Sequence, residues 1–250
     1  MPESTEHWKN ESKDPCTMDL RVAMKQRIEK MLTTANLDRI AFISDAVRGK
    51  RTLDIGCVEN DAEHHTREEW LHNHIVRAAS SCVGIDILET EIGLLRSRGY
   101  NVRFHDITQS PLDATFEVIV SGEIVEHIGS IDGLLKNCRQ CLEPGGRLIL
   151  STPYPWFIGV SFRHTFSNVY LPGSLEHVTW YDPANFAELA ARHGYKFEMY
   201  AGIEPLPLKG SFKRTVFESF ARAIRFGKVP LLTPLCGCRS ILYVLQVPTV

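Results

Sequence analysis

Glu123, Glu126 and His127 stand at i, i+3 and i+4, so one helical turn would set two carboxylates and an imidazole on one face. Three readings of that turn stand side by side. His127 can act as a general base toward an acceptor hydroxyl, because imidazole titrates near neutrality. Two carboxylates and an imidazole can also hold a divalent cation, completed by the distant His177. The turn can equally be a structural cap. Upstream, acids follow short apolar runs at Asp54, Asp86 and Asp106, and Gly56 lets backbone approach a ligand closely. In an open α/β sheet, ligands sit beyond the carboxyl ends of the strands, where an acid ending the second strand accepts two hydrogen bonds from a ribose diol. Asp86 takes that place, and Asp106 suits an adenine amino group or its loop. No phosphate loop or basic group accompanies these acids, so they suit a cationic nucleoside better than a polyphosphate. A nicotinamide dinucleotide is excluded. Its Gly-x-Gly-x-x-Gly run is missing, and Asp86 lies 30 positions after Gly56, against the ~20 such sites use.

Elements must hold these residues in place. After Gly49, β-rich runs at 51–55, 81–85, 101–105, 116–120 and 147–151 alternate with amphipathic stretches. Val118-Ile119-Val120 and Leu148-Ile149-Leu150 are apolar throughout, as strands covered on both faces are. Thr66 with Glu69 predicts a capping box opening a helix that carries Trp70, Leu71 and Ile75. Gly99 closes the helix of Leu94 and Leu95. Ser130 opens one whose Ile131, Leu134, Leu135, Cys138 and Leu142 share a face, ended by Pro144-Gly145-Gly146. This alternation predicts a doubly wound, mostly parallel α/β sheet with helices on both faces. Residues 18–48 read as helical, with Leu20, Met24, Ile28 and Leu32 every four residues. Residues 153–176 hold Pro153, Pro155, Pro172, Gly173 and many aromatics, and form a long loop or lid. Asp182 then caps a helix with Pro183 at its first position. Two last strands at 196–200 and 241–247 flank a helix near 211–226.

Leu53-Asp54-Ile55-Gly56-Cys57, Val83-Gly84-Ile85-Asp86, His105-Asp106, Phe116-Glu117-Val118-Ile119-Val120 and Leu142-Glu143-Pro144-Gly145-Gly146-Arg147-Leu148 together resemble the ordered motifs of class I S-adenosylmethionine-dependent methyltransferases. Glu123-Ile124-Val125-Glu126-His127 resembles the subgroup that includes ubiquinone-biosynthesis O-methyltransferases. The likeness covers roughly residues 50–200. It implies a Rossmann-like, seven-stranded sheet with the last strand antiparallel, and S-adenosylmethionine as methyl donor. Donor contacts then fall on Asp54, Gly56, Cys57, Asp86, Ile87, Asp106, Ile107 and Ser121, with Gly56 and Cys57 at the methionine moiety. His127, Glu123 and Glu126 become the catalytic candidates, and His177 and Trp180 fall in the acceptor pocket. One departure stands out: Val58 and Asn60 replace the second and third glycines of the family's first loop. Asn tolerates left-handed backbone, but Val does not.

Other features carry both a chemical and a plain reading. Tyr154, Trp156, Phe157 and Phe162 can wall an acceptor or simply pack the lid. His64 and His65, beside Glu59, Asp61 and Glu63, read better as a solvated loop than as ligands. Cys138-x-x-Cys141 and Cys236-x-Cys238 offer up to four zinc ligands, yet Cys138 lies on an apolar stripe, where a free cysteine is a small hydrophobe. The segment 209–228 carries Lys209, Lys213, Arg214, Arg222, Arg225 and Lys228 against Glu218. Phe212, Val216, Phe217, Phe220 and Ile224 are expected on its opposite face. It reads first as a sheet-covering helix and second as a peripheral contact for an anionic surface.

With 44% hydrophobic and 23% charged residues over 250 positions, the composition fits one globular domain. The expected division is a helical cap (1–48), donor-binding core (49–152), acceptor lid (153–180) and C-terminal helices and strands (181–250). A net charge of −2 gives no global pull on nucleic acid. Seven cysteines, an odd number, suit a reducing compartment. No apolar run reaches membrane-span length, and the start lacks a signal-peptide pattern, so a cytoplasmic protein is expected. The resulting expectation is a donor-dependent O-methyltransferase of a small molecule (sugar, phenol or quinone-like ring, or carboxylate). The alternatives are a metal-dependent ribose 2′-O-methyltransferase of RNA 3′ ends, whose metal set Glu-x-x-Glu-His resembles, and a non-catalytic donor-binding module.

Overall fold

Strand β1 (Arg51–Ile55) starts in the middle of the sheet, and the chain winds outward from it in both directions. The computed structural model describes residue 9 and residues 11–167, 174–203, 212–229 and 232–249, with the backbone alone at 212–218. Strands β2 (Ser81–Asp86) and β3 (Val102–Phe104) extend one side in parallel. Strands β4 (Phe116–Gly122) and β5 (Leu142–Pro153) extend the other, also in parallel. Strand β7 (Ser240–Gln246) inserts antiparallel between β5 and β6 (Lys196–Gly202), giving the order β3-β2-β1-β4-β5-β7-β6. The order reverses between β1 and β4, and such a switch point opens a crevice at the strands' carboxyl ends.

Strand periodicity divides the core. Leu53, Ile119, Leu148 and Leu150 face one side, where α5 (Ile131–Cys141) and α7 (Pro183–Arg192) pack through Leu134, Leu135, Cys138, Phe186 and Ala190. Val118, Val120 and Ile149 face the other, against Ile43 of α2 (Arg39–Ala46) and Leu71 and Ile75 of α3 (Leu71–Ala78). Helix α4 (Glu89–Ser97) adds Ile92 and Leu95 to a smaller cluster around Trp70. Burying each such side chain stabilises by roughly 1.5–3 kcal/mol. Cys138 sits in the first core as an apolar group, and Cys141 beside it hydrogen-bonds the Leu112 backbone.

Several local expectations need correction. The 18–48 stretch is two helices, α1 (Met18–Lys30) and α2, because Asp38 accepts from Ala41 N at 2.9 Å and starts a new helix. The backbone between them lies along the free edge of β6: Met31 O accepts from Tyr200 N, and Leu37 N donates to Gly202 O. That strip covers an edge strand that would otherwise expose unpaired backbone. Thr66 opens no helix. Its hydroxyl donates to Glu63 O inside a 3-10 turn at Ala62–Thr66, and α3 begins at Leu71 with Trp70 as cap. Ser130 makes no side-chain cap. Gly145 (φ +79°) does not end the α5 segment before the strand; it lies within β5, opposite a register shift between Phe116 and Val118 of β4. The lid contains a helix, α6 (Ile158–Phe166), with Phe162 and Phe166 exposed. Asp182 does cap α7, in a reciprocal box with Asn185.

The basic segment differs from its expected faces. In α8 (Phe212–Arg225), Arg225 is buried, donating to Asn36 Oδ1 and Gly237 O, while Phe220 is exposed and Ile224 buried. Lys209, Pro172 and Gly173 lie outside the described residues, as do the side chains of 212–218. No helix among the described residues is long and apolar enough to cross a membrane.

Candidate active site

The crevice beyond β1, β2 and β4 is a cavity of about 1110 Å³, at the upper end of small-molecule sites. Its first wall is the turn after β1. Gly56 (φ +78°) donates to Ile85 O at 2.9 Å, and a Cβ there would fall on Ile124 Cδ1. The altered loop resolves the missing glycines differently from expectation: Val58 avoids left-handed backbone, while Glu59 (φ +54°) and Asn60 (φ +74°) adopt it. Asp86 Oδ2 accepts from Val58 N at 3.1 Å and Oδ1 from Leu88 N at 3.1 Å, so the acid ending β2 ties down the loop ending β1. Burial raises the Asp86 carboxyl above its ordinary value. Below the loop, Asp54 Oδ2 lies 2.8 Å from His72 Nδ1, with both side chains buried.

The next wall follows β3. Asp106 Oδ1 accepts from Thr108 N at 2.9 Å and from Thr108 Oγ1 at 2.7 Å. Asn137 Nδ2 of α5 holds Ile107 O at 2.7 Å. Helix α5 can approach this closely only because residue 133 is glycine: a Cβ would land on Thr108 O. Gly133→Ala is expected to cost about 1–3 kcal/mol through overpacking and to displace the Asp106 segment. Calorimetric titration with the donor should then show affinity lower by on the order of tenfold. Unchanged melting temperature and affinity would show that the segment yields freely.

The third wall follows β4. Glu123 has φ +55°, a left-handed backbone unusual for a non-glycine residue. A 3-10 turn, Val125–His127, replaces the expected helical face. Arg39 Nη1 stands 3.8 Å from Glu123 Oε1 and 3.5 Å from Ser151 Oγ, and Ser240 Oγ donates to Glu123 Oε2 at 3.4 Å. Glu126 is buried and accepts from Thr152 Oγ1 at 3.1 Å. Its backbone carbonyl accepts from Val178 N and Thr179 N, which pins the lid to the turn. His127 and His177 meet edge to face with ring centroids 4.8 Å apart, and Glu176 Oε2 lies 3.7 Å from His127 Nδ1. Burial, then His127, lowers the His177 imidazole. Glu126, His127 and His177 each offer a ligand atom within 4.8 Å of the others.

Burial, then the charge of Glu123, pushes the Glu126 carboxyl up to about 8, from an ordinary 4.5. A carboxyl raised on folding stabilises fully below its unfolded value, and that contribution is lost as pH climbs toward the folded value. Glu126→Gln, neutral throughout, should therefore gain melting temperature over the parent between about pH 5 and about pH 9, by on the order of 5 °C. A difference that stays constant across that range would contradict a buried, raised carboxyl.

Gly56, Asp86, Ile87, Asp106, Ile107, Glu123, Glu126, His127 and His177 thus line one cavity. Asp54, Cys57 and Ser121 are buried and do not line it. Tyr154 and Trp156 line a separate cavity of about 750 Å³ between α1, α7 and β6, and half-buried Trp180 lines neither. Sequence reasoning missed Arg39, Arg67, Gly133 and Glu176, and read Glu59 and His64 as a solvated loop, whereas both line the cavity. Arg39 precedes the first strand, and no spacing ties it to the site.

The methyltransferase domain family matches residues 24–199. The chain is 25% identical over 198 residues to the ubiquinone biosynthesis O-methyltransferase of Coxiella burnetii (strain Dugway 5J108-111), covering 73% of this chain and 80% of that one. It is 23% identical over 194 residues to the enzyme of that name from Aeromonas salmonicida (strain A449), covering 73% and 78%. The fold is shared with magnesium protoporphyrin IX methyltransferase from Synechocystis PCC 6803, solved with bound SAH (13% identity, 96% and 92% coverage, TM-score 0.53). It is shared too with a SAM-dependent methyltransferase from Archaeoglobus fulgidus (19%, 83% and 91%, TM-score 0.51). With its motifs in order along the switch-point crevice, the chain belongs to the methyltransferase domain family and is an S-adenosylmethionine-dependent methyltransferase.

Proposed function

We propose that the protein methylates an oxygen of a small-molecule acceptor. One observation carries this reading: the donor-loop residues and the His127–Glu126–His177 group open into the same cavity. The residues fit the donor, since Gly56 leaves a cradle that a Cβ would fill and Asp86 ends the second strand. When bound, S-adenosylmethionine supplies an electrophilic methyl group on a sulfonium. The chain's own work is then alignment and exclusion of water. Asp86 holds the ribose, Asp106 and Ile107 border the adenine, and Gly56 lies along the methionine chain. Arg39, which lines the same cavity, suits the methionine carboxylate. His127 takes the acceptor's hydroxyl proton as the oxygen–methyl bond forms and the sulfonium–methyl bond breaks, with Glu176 Oε2 3.7 Å from its Nδ1. The left-handed Glu123 delivers the 3-10 turn to the cavity. The oxygen chemistry in the names of the Coxiella and Aeromonas relatives supports this reading.

A second reading draws on the clustering of Glu126, His127 and His177, whose candidate ligand atoms lie within 4.8 Å of one another: a divalent cation held there would orient a ribose diol at an RNA 3′ end. One experiment separates the two. Methyl transfer from labelled donor is measured with and without chelator on hydroxylated small molecules and on RNA. Chelator-resistant transfer to a small-molecule oxygen is expected. Transfer only to RNA, abolished by chelation and restored by manganese, would replace the first reading with the second.

A further inference from the structure

We infer that the second cavity, between α1, α7 and β6, is a binding site for a neutral ring compound bearing a carbonyl or hydroxyl oxygen. It shares no lining residue with the donor cavity, so its occupant is distinct from the methyl acceptor proposed above. Its volume of about 750 Å³ falls within the range of small-molecule sites. The buried wall is aromatic: Tyr154 follows β5, Tyr195 and Phe197 stand at the start of β6, and Tyr200 lies within that strand. Met24 and Ile28 of α1 close one side, and Ala187 and Ala191 of α7 leave room on the other. Such walls favour a ring, which aromatic side chains hold by offset stacking or edge contact.

Two polar atoms in that wall are unused. Tyr154 and Tyr200 are only 7% and 4% exposed, yet neither phenol hydroxyl has a hydrogen-bond partner among the described residues. Tyr195, on the same wall, spends its hydroxyl on Leu135 O at 2.9 Å. A buried phenol ordinarily finds a partner, and leaving one unmet costs stability. Burial raises both groups above the ordinary tyrosine range, so both present O–H groups to the cavity. A carbonyl oxygen accepts from such a group, and a hydroxyl can accept or donate. Charge favours a neutral occupant. The ions around the cavity already hold one another: Lys25 with Glu29, Arg192 with Glu188, and Arg27 with Glu11. Asp182 accepts from Ala184 N, Asn185 N and Trp156 Nε1. The charges of Glu29 and Asp182 reach Tyr200 and Tyr154 and oppose an anion at the hydroxyls. An ammonium ion offers donors only and leaves both O–H groups unmet. Exposed Arg21 at the rim would take a fatty acid's carboxylate, but the tail would then lie against the two hydroxyls.

The test is calorimetric titration of the SAH-loaded protein with heads varied on one ring system: 2-acetonaphthone, 2-naphthol, naphthalene, 2-naphthoate and 2-naphthylmethylamine, with decanoate as a fatty acid. Expected is micromolar binding of the ketone and the naphthol, at least tenfold tighter than any of the others. Tyr154→Phe and Tyr200→Phe, which remove only an oxygen, should each weaken the ketone by about three- to tenfold and leave SAH affinity within twofold. Ala187→Phe, which fills the cavity, should abolish ketone binding. In proton NMR, the tyrosine ring resonances absent from the two Phe variants should shift as ketone is added to the parent. Naphthalene within threefold of the ketone, or unchanged ketone affinity in both Phe variants, overturns the assignment of an oxygen-bearing ligand. Tighter binding of naphthoate, the amine or decanoate overturns its neutrality. Shifted His127 and His177 resonances with unmoved tyrosines would put the ketone in the donor cavity, and binding by no member of the series would leave the second cavity without a ligand. Either result overturns the site.

Discussion

Asp86→Ala is expected to weaken S-adenosylmethionine binding by about two orders of magnitude or more. The carboxylate carries two tasks in one place. It accepts from Val58 N and Leu88 N and so fixes the β1 and β2 loops on either side of the crevice, and in the proposed donor pose it faces the ribose diol. Hydrogen bonds to a charged group contribute roughly 1.5–3 kcal/mol each. Losing the equivalent of two in the donor complex corresponds to on the order of a hundredfold or more in dissociation constant. The glycine-poor loop sharpens the effect. Glu59 and Asn60 already hold left-handed backbone, at a cost of order 1–3 kcal/mol each, so the anchor at Val58 has little to back it up. Asp86→Asn should fall between parent and Ala, because its amide oxygen can serve Leu88 N while its NH2 faces Val58 N. Calorimetric titration on variants with parental far-UV spectra reads the result. An Asp86→Ala affinity within threefold of the parent would remove this residue from the donor site.

Much of this arrangement was legible in the sequence, and the reason is covalent. Asp86 and Asp106 sit at or just beyond strand ends that periodicity marks, so finding the strands finds the acids. The same logic located Gly56 and the turn after β4. It failed wherever a contact joins segments without a repeating pattern. Arg39 reaches the site from a helix that precedes the sheet, and Gly133 matters only because α5 passes against Thr108 O. The lid aromatics failed for a related reason. Tyr154 and Trp156 directly follow β5, yet the chain leaves that strand toward α1 and α7 and carries them into the other cavity. The loop departure was legible as a problem but not in its solution. Position 58 keeps a β-branched residue because the left-handed backbone moved one residue on, to Glu59. The turn at Glu123 was read as helical spacing, and the structure gathers Glu126 and His127 by a tighter 3-10 turn instead.

The other large effect belongs to His127. His127→Ala is expected to lower kcat on the hydroxyl acceptor by about 10²–10⁴, the usual contribution of a positioned acid or base, while the donor dissociation constant stays within about twofold. The reduction stops short of total loss because displacement at a sulfonium methyl is driven mainly by alignment, and the walls at Asp86 and Asp106 are untouched by the change. Two readouts separate proton transfer from mere packing. The parent's kcat/KM should fall toward acid, where a general base is protonated, and the variant should lose that limb. Added imidazole should restore part of the variant's rate, since a free base can occupy the space beside Glu176 and His177. His127→Asn retains a polar side chain of similar reach but cannot take a proton at neutral pH, so it should resemble Ala in kcat. A kcat within threefold of the parent for both variants would assign His127 to packing of the lid against His177. Loss of activity in both, with a parent enzyme silenced by chelator and revived by manganese, would instead make the imidazole a metal ligand. The geometry leans toward the base. The Glu126 carboxyl that such a cation would need is buried, already accepts from Thr152, and is raised to about 8, so at neutral pH it would have to give up a proton before binding metal. His127, beside an exposed carboxylate and open to the cavity, can act without that step.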